Sequence, residues 1–365
     1  TDSNYQKGID KQVRIETDGI HALAFIAKDR AGNKSGITTL TIKKDSTSPK
    51  DFTLTAKDIT VEGFTIATGT SDETSGIAKY NFYVGGELKS SIESPGEEQI
   101  VESVITGLAP KTSYLVYVQA VDRAGNVKET TNITVTTLMP PAKPGLPNLL
   151  DDHDTGISNV DNITKYWQGV EVNGNAEPNA LIHVYIYDTR VAETYADANG
   201  YWHANIDLVQ NEVNYISCFA HLDLRGWSER SDVLEVTCDT TPPTVPTVTY
   251  NSGANTCSWK NNYNITFSST DNVGIWKYED DFHGNGTVDT EVAANFIPPN
   301  GYSSCTNIFR AIDIAGNASG WTAQQHIHQD TGAPTITKVW YGAVANGRVS
   351  IYIQVADDFS RNKYS

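Results

Sequence analysis

The chain has 365 residues, a formal net charge of −17, 18 tyrosines, seven tryptophans and one methionine. That acidity argues against nucleic acid, because phosphate binding needs clustered Lys and Arg, and suits solubility or the collection of divalent cations by carboxylates. With 39% hydrophobic residues the chain folds, yet no apolar run reaches the ~18 residues of a membrane helix.

Residues 1–45 open the series. Val13 and Ile15, then Leu23, Phe25 and Ala27, alternate as strands do. The phrase Ala27-Lys28-Asp29-Arg30-Ala31-Gly32-Asn33 follows and returns as Ala120-Val121-Asp122-Arg123-Ala124-Gly125-Asn126 and as Ala311-Ile312-Asp313-Ile314-Ala315-Gly316-Asn317. A degenerate copy, His221-Leu222-Asp223-Leu224-Arg225-Gly226-Trp227, fills the gap. The copies lie about 90 to 100 residues apart, the size of one immunoglobulin-like sandwich. The fold class expected is all-β, a string of tandem sandwiches in an extended array.

Proline marks the boundaries, since it donates nothing to a ladder and stiffens a link. Asp45-Ser46-Thr47-Ser48-Pro49, Asp239-Thr240-Thr241-Pro242-Pro243 and Asp330-Thr331-Gly332-Ala333-Pro334 each follow a β-rich run. Met139-Pro140-Pro141-Ala142-Lys143-Pro144-Gly145 reads as a semi-rigid spacer. The expected domains are 46–140, 141–238 and 239–329, with the later half of a repeat at 1–45 and the opening of another at 330–365. Half repeats at both ends, and a first residue other than methionine, lead us to expect part of a longer protein. The other arrangement left open is completion of the halves between neighbouring molecules.

Residues 46–138 resemble a fibronectin type III module through Ile105-Thr106-Gly107-Leu108-Ala109-Pro110-Lys111-Thr112-Ser113-Tyr114, followed by Val116, Val118 and Ala120 at period two. The resemblance makes Tyr114 the tyrosine-corner residue. The early tryptophan of that family is absent, and Phe64 is the candidate for its place. Residues 146–239 resemble the bacterial Ig-like repeats of large surface adhesins, on Asp154-Thr155-Gly156-Ile157-Ser158-Asn159-Val160-Asp161-Asn162-Ile163-Thr164 and Ala196-Asp197-Ala198-Asn199-Gly200-Tyr201-Trp202. Residues 239–329 resemble a second bacterial Ig-like class, on Trp259-Lys260-Asn261, Thr266-Phe267-Ser268 and Phe309-Arg310-Ala311.

Sandwich topology brings the B–C loop, the F–G loop and the entry to strand A to one pole. Three acidic positions therefore converge in each good copy: Asp45, Asp72 and Asp122, then Asp239, Asp271 and Asp313. Asp330 and Asp357 begin a further set, and in the third domain Asp151, Asp154 and Asp161 stand in. Calcium suits such poles because it takes six to eight oxygens in flexible geometry. The adhesin resemblance implies calcium at the junctions as well. Ordinary turn chemistry, with Asp capping local N–H groups and Gly supplying positive φ, explains the same residues without an ion.

Four cysteines lack zinc-site spacing. In an extracellular chain they allow two bridges, Cys257 with Cys305 and Cys218 with Cys238, though sequence leaves connectivity open. No Gly-x-Ser-x-Gly elbow, phosphate loop or His-Glu-x-x-His motif is present, so no catalytic residue is assigned. His326 and His328 share a strand face, and Trp167, Tyr201, Trp202, Trp227 and Trp321 are either core residues or sugar-stacking ones. The expected role is a non-catalytic stalk or fibre segment of a secreted or cell-surface bacterial protein. Its partners would be copies of itself, or cell-surface and host glycans or proteins. A glycan- or protein-binding module, and an accessory region of a secreted polysaccharide-degrading enzyme, are the alternatives.

Overall fold

A computed structural model describes residues 12–96, 99–251, 259–260 and 263–357. Among them are 28 strands and no helix, so no helix is long and apolar enough to cross a membrane. The chain divides into two compact units, Thr1–Pro141 with His221–Trp227, and Ala142–Ala220 with Ser228–Ser365.

In the first unit, β1 (Gly19–Phe25) and β2 (Thr38–Lys44) form an antiparallel hairpin. Next come β3 (Leu54–Lys57), β4 (Phe64–Thr68), β5 (Ile77–Val84), β6 (Glu87–Glu93), β7 (Val101–Ile105), β8 (Ser113–Asp122), β9 (Val127–Glu129) and β10 (Ile133–Thr136). They form two sheets, β3-β4-β7 and β10-β8-β5-β6, with β9 also on β8. This is the A-B-E and G-F-C order of a fibronectin type III or Ig-like sandwich. Alternation builds it: on β8, Val116, Val118 and Ala120 point into the core while Leu115, Tyr117 and Gln119 point out. Phe64, Ile66, Tyr80 and Phe82 fill the centre, so Phe64 does occupy the core in the absence of a tryptophan. The Tyr114 hydroxyl accepts the Ala109 amide at 2.9 Å, as the corner assignment requires.

The chain continues through β11 (Asn148–Leu149), β12 (Ile163–Thr164), β13 (Val170–Asn175), β14 (Leu181–Ile186), β15 (Thr189–Tyr195), β16 (Tyr201–Ile206), β17 (Glu212–Leu222), β18 (Gly226–Trp227) and β19 (Leu234–Cys238). Here the sheets are β11-β13-β16 and β12-β19-β17-β14-β15, and the short β12 runs parallel to β19. Trp202 is wholly buried, and a Cβ on Gly174 would sit 2.7 Å from its ring, so glycine makes room for the indole. The β18 tip lies in the first unit.

The last complete pair of sheets uses β20 (Thr247–Tyr250), β21 (Ile265–Ser268), β22 (Ile275–Asp281), β23 (Thr290–Val292), β24 (Asn295–Phe296), β25 (Ser303–Asp313) and β26 (Gln325–His328). They order as β20-β21-β24 and β23-β22-β25-β26 around Tyr263, Ile265, Phe309 and Ile327. A final hairpin pairs β27 (Thr335–Tyr341) with β28 (Ile351–Ala356).

The bridge expected between Cys218 and Cys238 does not form. Pairing of β17 with β19 sets Cys238 opposite Glu212 and Leu234 opposite Ile216. Cys218 therefore lies roughly 20 Å along the strand from the residue facing Cys238, whereas a bridge tolerates about 7 Å between Cα atoms. Both thiols are buried and unbridged, and burial pushes that of Cys218 up to about 11. Cys257 lies outside the described residues. Cys305, beside a register shift between Ser304 and Asn307, is half-buried, its Sγ 3.1 Å from His328 Nε2.

Candidate metal centres

The repeated phrase folds into one turn wherever it is intact. Asp122 accepts the Ala124 and Asn126 amides at 2.8 Å on Oδ1 and the Asn126 side chain at 2.8 Å on Oδ2. Asp313 accepts the Asn317 amide at 2.8 Å and its side chain at 2.9 Å, and Asp29 treats Asn33 in the same way. The glycine between them has φ of 99° at Gly32, 95° at Gly125 and 90° at Gly316, a conformation that L side chains rarely adopt. The asparagine then reaches the linker. Asn126 donates to the carbonyls of Asp45 (3.4 Å) and Thr47 (3.2 Å), and Asn317 donates to that of Asp239 (2.9 Å).

This fastening brings the acidic positions together. Asp45, Asp72 and Asp122 each offer an oxygen within 4.8 Å of the others, and so do Asp239, Asp271 and Asp313. In the linker and B–C positions the two carboxylate oxygens differ in their partners. Asp45 Oδ1 holds the Thr47 amide at 3.0 Å, and Asp239 Oδ1 holds that of Thr241 at 3.0 Å. Asp72 Oδ1 takes the amides of Thr74, Ser75 and Gly76, while Asp271 Oδ1 takes those of Val273 and Gly274. The buried Oδ2 atoms of Asp45, Asp239 and Asp271 accept no hydrogen bond among the described residues. In these three carboxylates turn chemistry and cation binding are thus compatible, one oxygen serving each, whereas Asp122 and Asp313 use both oxygens in the turn.

The donor set fits calcium. It is all oxygen, and two oxygens bound to one such ion at about 2.4 Å lie no more than about 4.8 Å apart. Asp239 and Asp313 are wholly buried and Asp122 is 2% exposed. Like charges at this distance repel by about 3 to 4 kcal/mol per pair at an effective dielectric near 20. At Asp313 burial raises the carboxyl above its ordinary range, against the Asn317 hydrogen bonds and with the charges of Asp239 and Asp271 adding to it. At Asp72 burial also raises, but the amides of Ser75, Gly76 and Thr74 outweigh it and the carboxyl lies low.

Other predicted positions do not assemble. Asp330 Oδ1 accepts the Gly332 amide at 2.9 Å, and among the described residues neither it nor Asp357 belongs to a group of three. In the third domain Asp154 is buried and meets Asp161, but Asp151 is exposed and outside any group of three. Burial, with the Asp161 charge adding, raises Asp154. There the degenerate turn does different work: Arg225 donates from Nε to the Met139 carbonyl at 2.8 Å and from Nη2 to that of Pro140 at 2.9 Å. A guanidinium replaces the asparagine amide as the donor to the linker.

Sequence reading missed a third group, Asp281, His283 and Asp289, at the β22–β23 hairpin tip. Its signal was an aspartate at each end of a glycine-rich turn. Asp281 accepts the His283 and Gly286 amides, while Asp289 Oδ2 takes the Phe282 amide and lies 3.0 Å from His283 Nδ1. These bonds close the hairpin. His328 is half-buried, its Nδ1 2.7 Å from Ser303 Oγ, and burial followed by the His326 charge lowers it. Trp202 is core, Trp167 and Trp321 are half-buried, and Trp227 and Tyr201 are exposed at 46% and 42%.

No family model matches the chain. Bacillopeptidase F of Bacillus subtilis (strain 168) is 32% identical over 98 residues, which is 27% of this chain and 6% of that protein. The chain thus spans a small part of that relative's length. Among solved structures, fibronectin(III)-like modules of Clostridium thermocellum CbhA align over 51% of this chain and 95% of theirs, at 16% identity and a TM-score of 0.27. The FN1–FN3 domains of chicken CNTN1 align over 77% of this chain and 99% of theirs, at 12% identity and a TM-score of 0.29. The sheet orders described above are those of tandem fibronectin type III and Ig-like sandwiches.

Proposed function

We propose that the chain is a non-catalytic structural segment of a bacterial secreted or cell-surface protein, a stalk that calcium stiffens where one sandwich follows another. The domain limits are those read from the sequence: 46–140, 141–238 and 239–329, with partial repeats at 1–45 and 330–365. The observation that supports this reading is the pair of acidic triads, each built from a linker Asp, a B–C Asp and an F–G Asp. Asp45, Asp72 and Asp122 would hold one ion, and Asp239, Asp271 and Asp313 another. Each ion would supply the positive charge that cross-links a linker to two loops. The protein's own groups orient the carboxylates through the turn amides and keep the linker close through Asn126 and Asn317. The match to Bacillopeptidase F supports a bacterial setting.

The test is thermal unfolding of the chain in millimolar calcium and in chelator, with small-angle scattering on both samples. A calcium-dependent rise in Tm with a stiffer envelope supports the proposal. Identical melting and scattering in the two conditions would refute it.

A further inference from the structure

The second triad has a neighbour that the linker, B–C and F–G positions do not account for. The segment 154–165, which follows β11 and includes β12, reaches the F–G turn that carries Asp313. Thr155 Oγ1 donates to the Ala315 carbonyl at 2.6 Å, the Ile157 amide to the Ile314 carbonyl at 3.1 Å, and Lys165 Nζ to the Gly316 carbonyl at 3.2 Å. Three consecutive carbonyls of one turn are taken by one loop. The approach depends on glycine twice. Gly156 has φ of 92°, and a Cβ there would lie 1.8 Å from the Ile314 carbonyl oxygen. A Cβ on Gly316 would lie 3.2 Å from Gly156 Cα.

The other end of the loop grips a second arm of the triad. β12 runs parallel to β19, with Thr164 beside Cys238, and the Asp239 amide donates to the Thr164 carbonyl at 2.8 Å. The loop is itself braced, since the Lys165 amide donates to Thr155 Oγ1 at 3.0 Å and the Asn162 amide to Asp154 Oδ2 at 2.9 Å. One short segment therefore ties the peptide of Asp239 to the turn of Asp313, while the wholly buried Asp239 keeps its Oδ2 without a hydrogen bond among the described residues.

We propose that the 154–165 loop is a clamp that positions the second triad, with Thr155 and Gly156 as its positioning residues. The inference rests on the calcium reading above. Its physical basis is pre-organisation: holding two carboxylates at ligand spacing before the ion arrives removes an ordering cost from binding. The clamp forms from the protein's own groups, backbone carbonyls and amides with the Thr155 hydroxyl and the Lys165 ammonium, so it stands without the ion.

The experiment uses the full chain as wild type, Gly156→Ala and Thr155→Val. Amide exchange at Ile157 is read in chelator, and calcium titrations are followed at the Asn126 and Asn317 amides, one in each triad. The wild type should protect Ile157 without calcium. Gly156→Ala should lose that protection and weaken the calcium midpoint at Asn317 at least tenfold, with the midpoint at Asn126 unchanged. Thr155→Val, which adds no backbone clash, should weaken the Asn317 midpoint about threefold. An unprotected Ile157 in the wild type overturns the clamp. So does a variant that loses Ile157 protection but keeps its Asn317 midpoint, or one that shifts both midpoints alike. A wild type with no calcium response at either amide overturns the calcium reading and the positioning role together.

Discussion

The two acidic triads share residue type, turn and topological position, yet they differ in how their charge is managed. The first borders a cleft of about 270 Å³ that Asp45 lines together with Lys43, Lys44 and Arg123, and its Asp72 is held low by three amides. The second buries Asp239 and Asp313 completely, and Asp313 is pushed up by that burial. A clamp from the preceding loop holds its turn. The same local motif therefore sits beside basic side chains in one sandwich and wholly buried in another, and a cation would relieve more repulsion in the second. The environment sets the difference, because the repulsion of like charges grows as solvent and basic neighbours recede.

The cores differ as well. Gly76-Ile77-Ala78-Lys79-Tyr80 and Gly274-Ile275-Trp276-Lys277-Tyr278 are matching stretches, and two residues on the first core has Phe82 where the second has Asp280. Both side chains are wholly buried. Tyr302 donates its hydroxyl to Asp280 Oδ2 at 2.7 Å, while Oδ1 accepts no hydrogen bond among the described residues. Burial pushes the carboxyl up to about 6 from 3.8.

The sharpest way to break the comparison is to neutralise one triad at a time. At a hundredfold excess over Kd, calcium should stabilise each sandwich by about 2.7 kcal/mol. Asp313→Asn should abolish that gain in residues 239–329 alone, and Asp122→Asn should abolish it in 46–140 alone, as read by amide exchange. In chelator Asp313→Asn should stabilise its sandwich more than Asp122→Asn does, because it relieves the more buried repulsion. Equal effects in chelator would remove the distinction.

Asp280 gives the next effect in size. Its folded pKa is raised, so the stability it permits is full below pH 3.8 and is lost as the pH rises through about 6. Asp280→Asn should stabilise residues 239–329 at pH 8 by roughly 2 kcal/mol after allowance for screening, and flatten the pH profile between 4 and 7. An unaltered profile of Tm against pH would show that the proton is bound elsewhere. Arg225→Met removes two charge-assisted bonds to Met139 and Pro140 and should cost about 1 to 2 kcal/mol in chelator and in calcium alike. A calcium-dependent cost would sink the idea that the guanidinium serves where the other turns use an acidic pole. Tyr114→Phe, the mildest change, should lower stability of 46–140 by about 1 kcal/mol through loss of the Ala109 bond, measured by chemical denaturation.

Much of this was legible in the residues. Alternation marked strands such as β1 and β8, the recurring Asp-x-Ala-Gly-Asn phrase marked the turns, and sandwich topology placed Asp45, Asp72 and Asp122 at one pole. Phe64 and Tyr114 took their expected places because core filling and corner bonding depend on side chains the sequence spells out. The third-domain trio failed for a local reason: Asp151 stays exposed outside the group while Asp154 turns inward to cap Asn162.

What the sequence by itself determined was period, turn chemistry and the two poles where an intact turn gathers three carboxylates, since each depends on side-chain identity within a few residues or on a repeat. Only the tertiary structure decided which carboxylate oxygens remain for an ion, which register separates Cys218 from Cys238, and that Gly156 meets Ile314 across the fold. Those outcomes turn on backbone carbonyls and amides, which every residue except proline carries alike and which therefore leave little mark in the sequence.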